Sequence, residues 1–123
     1  ALERKTFGKT LINHQSLSFR LTDMATQIIS ARQLALFAAQ KADARERCIA
    51  ESSMAKIYAS EIAEKVTSSA IQIFGGDGYL QETGIEKLYR DARVLSIYEG
   101  TNDIQRIVIG REIESGWTPN QIS

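Results

Sequence analysis

The chain contains a single proline, Pro119, so almost all of it precedes the one residue that would break a helix. Within that stretch, apolar residues recur at alternating spacings of four and three, the period of a helix that buries one face. The first stripe contains Leu17, Leu21, Met24, Ile28, Ala31, Ala35, Ala38 and Ala42, and the second contains Met54, Tyr58, Ile62, Val66, Ala70 and Ile73. Two long amphipathic helices are therefore predicted.

A short connection orients these two helices. Only residues 43–47 separate the stripes, and a hinge of that length makes the helices antiparallel neighbours. Gly75 and Gly76 are expected to end the second helix, because glycine tolerates the left-handed conformation found at helix ends. A shorter helix is predicted over residues 85–94.

The last predicted helix begins after Thr101, a favourable N-cap residue, and ends before Gly116. No alternation of apolar and polar residues at the period of a strand competes with this pattern. The sequence therefore predicts an all-α fold, an up-and-down helical bundle in residues 1–115, followed by a tail in residues 116–123.

The beginning of the chain departs from this regular pattern. Residues 1–5 resemble the last turn of a helix that stops at Thr6, Phe7 and Gly8. No N-cap precedes them, and so short a helix is not stable alone. We therefore expect the chain to begin inside a longer helix. Loss of the upstream part would expose an apolar groove and favour self-association.

Composition and charge argue against several classes of protein. Apolar residues make up 43% and charged residues 24%, which is typical of a soluble globular domain, and 15 basic residues balance 15 acidic ones. That balance argues against nucleic-acid binding and against attraction to anionic lipid. No apolar run approaches the ~20 residues of a membrane-spanning helix, and the charged start does not resemble a signal peptide.

Cys48 and His14 are the only residues of their types. One cysteine cannot form an intrachain disulfide or a paired-cysteine metal site, and one histidine excludes a multi-histidine site, so we predict no metal. A chain without disulfides fits a reducing compartment such as the mitochondrial matrix or the bacterial cytoplasm. Cys48 lies in an Arg-rich stretch that could make it reactive, but an unreactive helical cysteine is the simpler interpretation.

Residues 97–103, Ile-Tyr-Glu-Gly-Thr-Asn-Asp, place the acidic residue Glu99 just before a glycine and a helix start, among apolar residues. A carboxylate in such surroundings can be buried enough to act as a general base. The helix N-terminus opposes this by favouring the ionised form. The alternative is that Glu99 only decorates the helix start.

Three other segments have both a functional and a structural interpretation. The glycines of residues 72–79 could let backbone N–H groups hold an anion, but a helix C-cap explains them equally well. Residues 4–9 carry cations, a hydroxyl and a glycine that suit a phosphate, or form a basic helix end. The charge cluster at residues 90–93 is interpreted as structural.

Taken together and in this order, four segments resemble the acyl-CoA dehydrogenase family. They are RKTFGKTLINHQSLSFRLTDM (residues 4–24), MAKIYASEIA (54–63), QIFGGDGY (72–79) and YRDARVLSIYEGTNDIQRIVIGR (89–111). The resemblance extends from Ala1 to about Ile113 and is closest to the medium- and short-chain type.

The resemblance implies the C-terminal four-helix bundle of a tetrameric flavoenzyme, with most of the first bundle helix missing. Such an enzyme uses FAD to oxidise a saturated acyl-CoA to the trans-2-enoyl-CoA and passes electrons to an electron-transferring flavoprotein. The fragment alone is expected to be inactive, because much of the flavin and acyl-CoA contact surface lies in the family's middle domain.

The family motif also implies roles for individual residues. Glu99 corresponds to the catalytic base, with its backbone N–H donating to the thioester carbonyl, and Gly100 corresponds to a residue lining the acyl-CoA site. The positions that match FAD contacts are Arg4, Thr6, Phe7, His14, Gln15, Gln72, Gly75, Gly76, Thr101 and Asp103. Among them, Arg4, Thr6 and Phe7 match a segment that reaches the FAD of a neighbouring subunit.

Two alternatives remain open at this point. A flavin oxidase or monooxygenase of the same fold would deliver electrons to oxygen. A non-enzymatic helical oligomerisation module would bind no flavin and would behave the same with or without Glu99.

Overall fold

The computed structural model describes residues 14–119 and two short backbone segments before them. Its α-helices are α1 (Gln15–Asp43), α2 (Ile49–Phe74), α3 (Ile85–Val94) and α4 (Asn102–Glu114), with 3-10 turns at Gly75–Tyr79 and Gln81–Thr83. Strands β1 (Lys5–Thr6) and β2 (Lys9–Thr10) form a two-residue antiparallel ladder, with Lys5 opposite Thr10. The predicted all-α helical bundle is confirmed.

Helix α2 forms the centre of the fold, because α1 packs on one part of its surface and α3 and α4 on another. The Nζ atom of Lys41 lies 3.4 Å from a carboxylate oxygen of Glu51, so the end of α1 lies beside the start of α2. The two helices are therefore antiparallel, as predicted.

Helices α3 and α4 lie end to end along α2. Arg93, in the last turn of α3, pairs at 3.6 Å with Glu64 in the second half of α2. Glu112, near the end of α4, pairs at 2.6 Å with Arg47 just before α2. The break between α3 and α4, residues 95–101, consequently lies against the middle of α2.

The ends of the helices follow the predicted local chemistry. Helix α2 ends at Phe74, and Gly75 takes a positive φ of 68°. The hydroxyl of Thr101 accepts a hydrogen bond at 3.2 Å from the backbone N–H of Ile104, which is an N-cap contact. Beyond α4, Gly116 takes a positive φ of 104°.

The predicted apolar stripe of α1 is confirmed at Ala31 and Ala38, which are buried, but not at every position. Ile28, Ala35 and Ala42 are exposed, whereas Gln27, Leu34 and Lys41 are partly covered. Helix α1 makes its main packing contact with a single neighbour, α2, so the buried line is narrow. Residues one position to the side of that line remain in contact with solvent.

The prediction that residues 1–5 form the last turn of a helix fails at Lys5. The backbone of Lys5 pairs with Thr10 in the β1–β2 ladder instead. Glycine-containing connections of two residues suit such a hairpin, and Gly8 lies between the strands. Residues 1–4 lie outside the described residues, so the rest of that prediction is not tested.

The apolar core of the described part is thin and built mostly from small side chains. The buried apolar residues are Ala31, Ala38, Ala50, Ala55, Ile62 and Ala92. Many large apolar side chains are exposed instead, among them Phe19 (60%), Leu88 (55%) and Tyr98 (61%). Self-association through such surface stays a prediction. None of the helices within the described ranges has the length and apolar character needed to cross a membrane.

Gly78 fills a position where a side chain has no room. A Cβ atom built on Gly78 would lie 2.7 Å from the carbonyl oxygen of Ile71, whereas one built on Gly76 would meet nothing within 4 Å. We expect Gly78→Ala to lower the free energy of unfolding by about 1–3 kcal/mol, because the backbone must shift to admit the methyl group. Gly76→Ala is the matched control and should change it by less than about 1 kcal/mol. Equal losses in urea titrations would contradict this packing.

The chain after α4 folds back onto the α1–α2 hinge. The indole N–H of Trp117 donates to a carboxylate oxygen of Glu51 at 2.8 Å, and the same oxygen accepts from Lys41 at 3.4 Å. Glu51 is only 4% exposed. We call Lys41, Glu51 and Trp117 the C-terminal clasp, because they join the hinge to the segment after α4.

Candidate functional site

The segment that joins α3 to α4, residues 95–101, has an unusual backbone. Glu99 has a φ of 58° and Gly100 a φ of 87°. The left-handed conformation is common for glycine but costs about 1–3 kcal/mol for a residue with a side chain. Glu99 keeps it because surrounding contacts fix the turn, and such strained residues are concentrated at functional sites.

Hydrogen bonds from both sides fix this turn, which we call the Glu99 turn. The backbone N–H of Asn102 donates to the carbonyl of Ser96 at 3.0 Å. The side-chain amide of Gln105 donates to the carbonyl of Glu99 at 3.0 Å, and the ammonium group of Lys56 donates to the carbonyl of Gly100 at 2.9 Å. The carbonyls of Glu99 and Gly100 are therefore both held by side chains.

The backbone N–H of Glu99, in contrast, has no hydrogen-bond acceptor within the described residues. The N–H group and the carboxylate of the same residue are thus both available at this turn. A donor and a proton acceptor on one rigid residue suit a substrate that carries a carbonyl group next to an acidic C–H bond.

An apolar groove of about 540 Å³ runs along α2 and ends at the Glu99 turn. Its lining residues are Lys56, Ala59, Ser60, Ala63, Leu95, Tyr98 and Glu99. Glu99 itself is exposed, so these residues alone do not give it the burial that the sequence suggested for a base. The groove supplies an apolar wall beside the carboxylate.

Two further predicted site residues directly follow Glu99 and Gly100. The hydroxyl of Thr101 caps α4, and Asp103 follows in the first turn of that helix. The side chain of Asp103 is 93% exposed and pairs with Arg106 at 3.3 Å. Its carboxylate can therefore accept hydrogen bonds from a ligand.

The other predicted cofactor positions lie at one end of the α1–α2 pair, away from the Glu99 turn, which lies against the middle of α2. His14 precedes α1 and Gln15 opens it, while Gln72 lies near the end of α2 and Gly75 and Gly76 follow. Because the two helices are antiparallel, these residues belong to the same end of the pair. Thr6 lies in β1, and Arg4 and Phe7 lie outside the described residues.

The predicted cofactor positions therefore form two groups. Along α2, Glu61, which lines the same pocket as Thr101 and Asp103, and Gln72 are separated by about 16 Å at the helical rise of about 1.5 Å per residue. A ligand that touches both groups must be extended, or two ligands must bind.

The group at the end of the α1–α2 pair (His14, Gln15, Gln72, Gly75 and Gly76) has side chains and backbone that fit the hydroxyl groups and base edges of a dinucleotide. Gln15 and Gln72 are exposed and each carries both a donor and an acceptor. Gly76 has no atom within 4 Å of the position of a Cβ, which leaves room for a ligand against the backbone. Among residues 14–119, no three histidine, cysteine or acidic side chains are grouped as metal ligands would be.

Lys56, Ser60 and Asn102 complete the surroundings of the Glu99 turn and were not identified as site residues from the sequence. Asn102 accepts from Lys56 at 2.8 Å and donates to the hydroxyl of Ser60 at 3.0 Å. An asparagine at the start of α4 was the only local signal, since Lys56 and Ser60 are brought in by tertiary packing.

The charged residues at 90–93 are structural, as predicted. Arg90 pairs with Glu86 at 2.7 Å, Asp91 pairs with Lys87 at 2.8 Å and Arg93 pairs with Glu64. Two of these pairs are one helical turn apart in α3, and the third joins α3 to α2. The cluster therefore stabilises the helix that leads into the Glu99 turn.

Known proteins resemble this chain in both sequence and fold. It is 46% identical over 109 residues to the caffeyl-CoA reductase–Etf complex subunit CarC of Acetobacterium woodii, covering 89% of this chain and 29% of that protein. The butyryl-CoA dehydrogenase structure of Megasphaera elsdenii superposes with a TM-score of 0.90 at 42% identity, covering 92% of this chain and 30% of that one. The FAD complex of PigA superposes with a TM-score of 0.90 at 34% identity, covering 93% of this chain and 30% of that one.

The chain thus spans about a third or less of the length of these proteins. A family model described as the acyl-CoA dehydrogenase C-terminal domain matches residues 1–114. That match covers all four helices, the Glu99 turn and both groups of predicted cofactor positions. The chain belongs to the acyl-CoA dehydrogenase family and carries its C-terminal helical domain.

Proposed function

We propose that this chain is the C-terminal domain of an FAD-dependent acyl-CoA dehydrogenase in which Glu99 is the catalytic base. The observation that carries the proposal is the Glu99 turn, where a fixed backbone presents an unpaired N–H and a carboxylate beside an apolar groove. The names of two relatives, a butyryl-CoA dehydrogenase and an FAD complex, support the substrate class and the cofactor.

In the proposed reaction, the carboxylate of Glu99 takes a proton from the α-carbon of a saturated acyl-CoA. FAD, when bound, supplies the two-electron acceptor that takes the β-hydrogen as hydride. The Cα–Cβ bond becomes the double bond of a trans-2-enoyl-CoA, and Glu99 is left protonated.

The backbone N–H of Glu99 would donate to the thioester carbonyl during proton removal. A hydrogen bond to that oxygen stabilises the negative charge that develops on it, which is usually a large contribution to such reactions. The donor requires little reorganisation, because the two carbonyls that follow it, those of Glu99 and Gly100, are already held by Gln105 and Lys56.

The exposure of Glu99 predicts that the 123-residue chain alone is inactive. A carboxylate in water is too weak a base for a proton next to a thioester, so the site must exclude water. In the proposed enzyme, other parts of the protein cover the groove. Gly100 would lie beside the acyl-CoA.

FAD would be held by two sets of residues of this chain. Thr101 and Asp103 lie beside the base, and Gln72 with Gly75 and Gly76 lies at the C-terminal end of α2. In a multimer these sets could serve two cofactors, and His14, Gln15, Arg4, Thr6 and Phe7 would belong with the second set. This division agrees with the separation of about 16 Å along α2 between Glu61, beside Thr101 and Asp103, and Gln72.

The proposed enzyme would pass its electrons to an electron-transferring flavoprotein. The name of the CarC relative places that protein in a complex with Etf, which supports this choice of partner. Localisation in the mitochondrial matrix or the bacterial cytoplasm remains our proposal, based on the sequence.

The proposal is tested on the full-length enzyme that contains this chain. We expect it to bind FAD, and we expect the flavin absorbance to bleach anaerobically on addition of saturated acyl-CoAs of one range of chain lengths. Bleaching by none of the acyl-CoAs would contradict the proposal. Rapid reoxidation of the reduced flavin by oxygen, without need of a flavoprotein acceptor, would instead identify an oxidase or monooxygenase.

A further inference from the structure

We propose that Lys56 is a positioning residue that holds Glu99 in its reactive conformation by binding the carbonyl of the next residue, Gly100. This inference rests on the proposed function of Glu99. Lys56 lies on α2, 43 positions before the base, and reaches the Glu99 turn from across the helix interface. Lys56 lies outside the motif that contains the base.

The ammonium group of Lys56 makes two short hydrogen bonds to the turn. It donates at 2.9 Å to the carbonyl of Gly100 and at 2.8 Å to the side-chain oxygen of Asn102. No carboxylate lies within 4.0 Å of it among the described residues. Its charge is therefore directed at neutral acceptors on either side of Thr101, not used in an ion pair.

Asn102 is a rigid second anchor for this contact. It is 7% exposed, and its amide group donates at 3.0 Å to the hydroxyl of Ser60, which is 5% exposed. Lys56 and Ser60 lie one helical turn apart on α2, so they face the same way. Two residues of one helix face thus fix both ends of the segment from Gly100 to Asn102.

The backbone that Lys56 holds is the strained one. Glu99 and Gly100 both have positive φ, which a free turn of this sequence would not favour at Glu99. Releasing the Gly100 carbonyl frees the Gly100–Thr101 peptide to rotate and lets the positive φ of Glu99 relax, which moves the carboxylate and the N–H of Glu99. Displacement of a catalytic group by about 1 Å can lower a rate by about 10²-fold.

The kinetic test uses the full-length holoenzyme with Lys56→Met, which keeps the length of the side chain and removes the donor. We expect kcat for a bleaching acyl-CoA to fall by about 10²-fold, with KM and bound FAD unchanged, and Lys56→Arg to recover much of the loss. Lys65→Met, at an exposed position on the same helix, is the matched control and should match the wild type. Unchanged kcat, or an equal loss in Lys56→Arg and Lys56→Met with normal folding, would overturn the proposal.

The backbone conformation of Glu99 can be measured without enzyme activity, which tests the role of Lys56 separately from the proposed function. In nuclear magnetic resonance spectra of the 123-residue chain, a positive φ gives Glu99 a strong contact between its own amide and α protons. We expect that signal to be lost in Lys56→Met and kept in Lys65→Met. If the wild-type enzyme bleaches with no acyl-CoA, the proposed function fails, whereas an unchanged Glu99 signal in Lys56→Met overturns the positioning role alone. Lys56→Gln, which keeps a shorter donor, replaces Lys56→Met if the latter does not fold.

Discussion

Replacing Glu99 by glutamine in the full-length enzyme is expected to slow flavin bleaching by an acyl-CoA by about 10²- to 10⁴-fold. Glutamine has nearly the same shape and keeps the backbone N–H that would bind the thioester carbonyl. It cannot accept the α-proton, so the variant loses the base and keeps the binding site. Stopped-flow absorbance under anaerobic conditions measures the rate directly.

The matched control is Glu82→Gln, at an exposed position in the 3-10 turn before α3, far from the Glu99 turn in the chain. We expect it to bleach at the wild-type rate. We also expect Glu99→Gln to bind FAD and the acyl-CoA normally, because neither is held by the proton-accepting oxygen. Wild-type bleaching in Glu99→Gln would show that another group removes the proton.

Helix ends could be predicted from the sequence because their chemistry is local. Gly75 ends α2 with a positive φ, and the hydroxyl of Thr101 caps α4, since both effects depend on a few neighbouring residues. The buried line of α1 depends on the shape of a partner helix instead. Periodicity alone therefore assigned Ile28 to the interface, although it is 41% exposed.

The residues of the candidate site also differ in whether they could be recognised from the sequence. Glu99 is recognisable because its whole motif is contiguous, and the fold places it at a strained turn beside a groove. Lys56 could not be recognised, because its acceptors on Gly100 and Asn102 are more than forty positions away in the chain. The exposure of Glu99 could not be predicted from the sequence either, since burial depends on everything that packs around a residue.

Replacing Lys41 by methionine is expected to destabilise the folded chain by about 3 kcal/mol, the lower end of the range for removing one partner from a buried ion pair. Methionine retains the apolar contacts of the lysine stem and leaves the carboxylate of Glu51, which is 4% exposed, without a cation. The hydrogen bond from Trp117 remains and limits the loss.

Urea titrations followed by circular dichroism at pH 7 measure this loss. The matched control is Lys87→Met, which removes an exposed pair with Asp91 on α3 and should cost about 0.5 kcal/mol or less. All variants are compared at one protein concentration, because self-association would add a concentration-dependent contribution to stability. Similar losses in both variants would show that burial of the C-terminal clasp adds nothing.

The pH dependence of the same clasp gives an independent check. Burial alone would raise the pKa of Glu51, but the hydrogen bonds from Trp117 and the backbone, together with Lys41, outweigh burial and lower the pKa below its ordinary value of 4.5. A carboxyl group whose pKa is lower in the folded state stabilises the fold above the unfolded pKa, and that contribution is lost as pH falls through the folded pKa. Glu51→Gln cannot titrate, so its deficit relative to the wild type should be full at pH 7 and should shrink below about pH 4.5. A deficit that stays constant from pH 7 to pH 3 would mean that the shape of the clasp, and not the charge of Glu51, joins the hinge to Trp117.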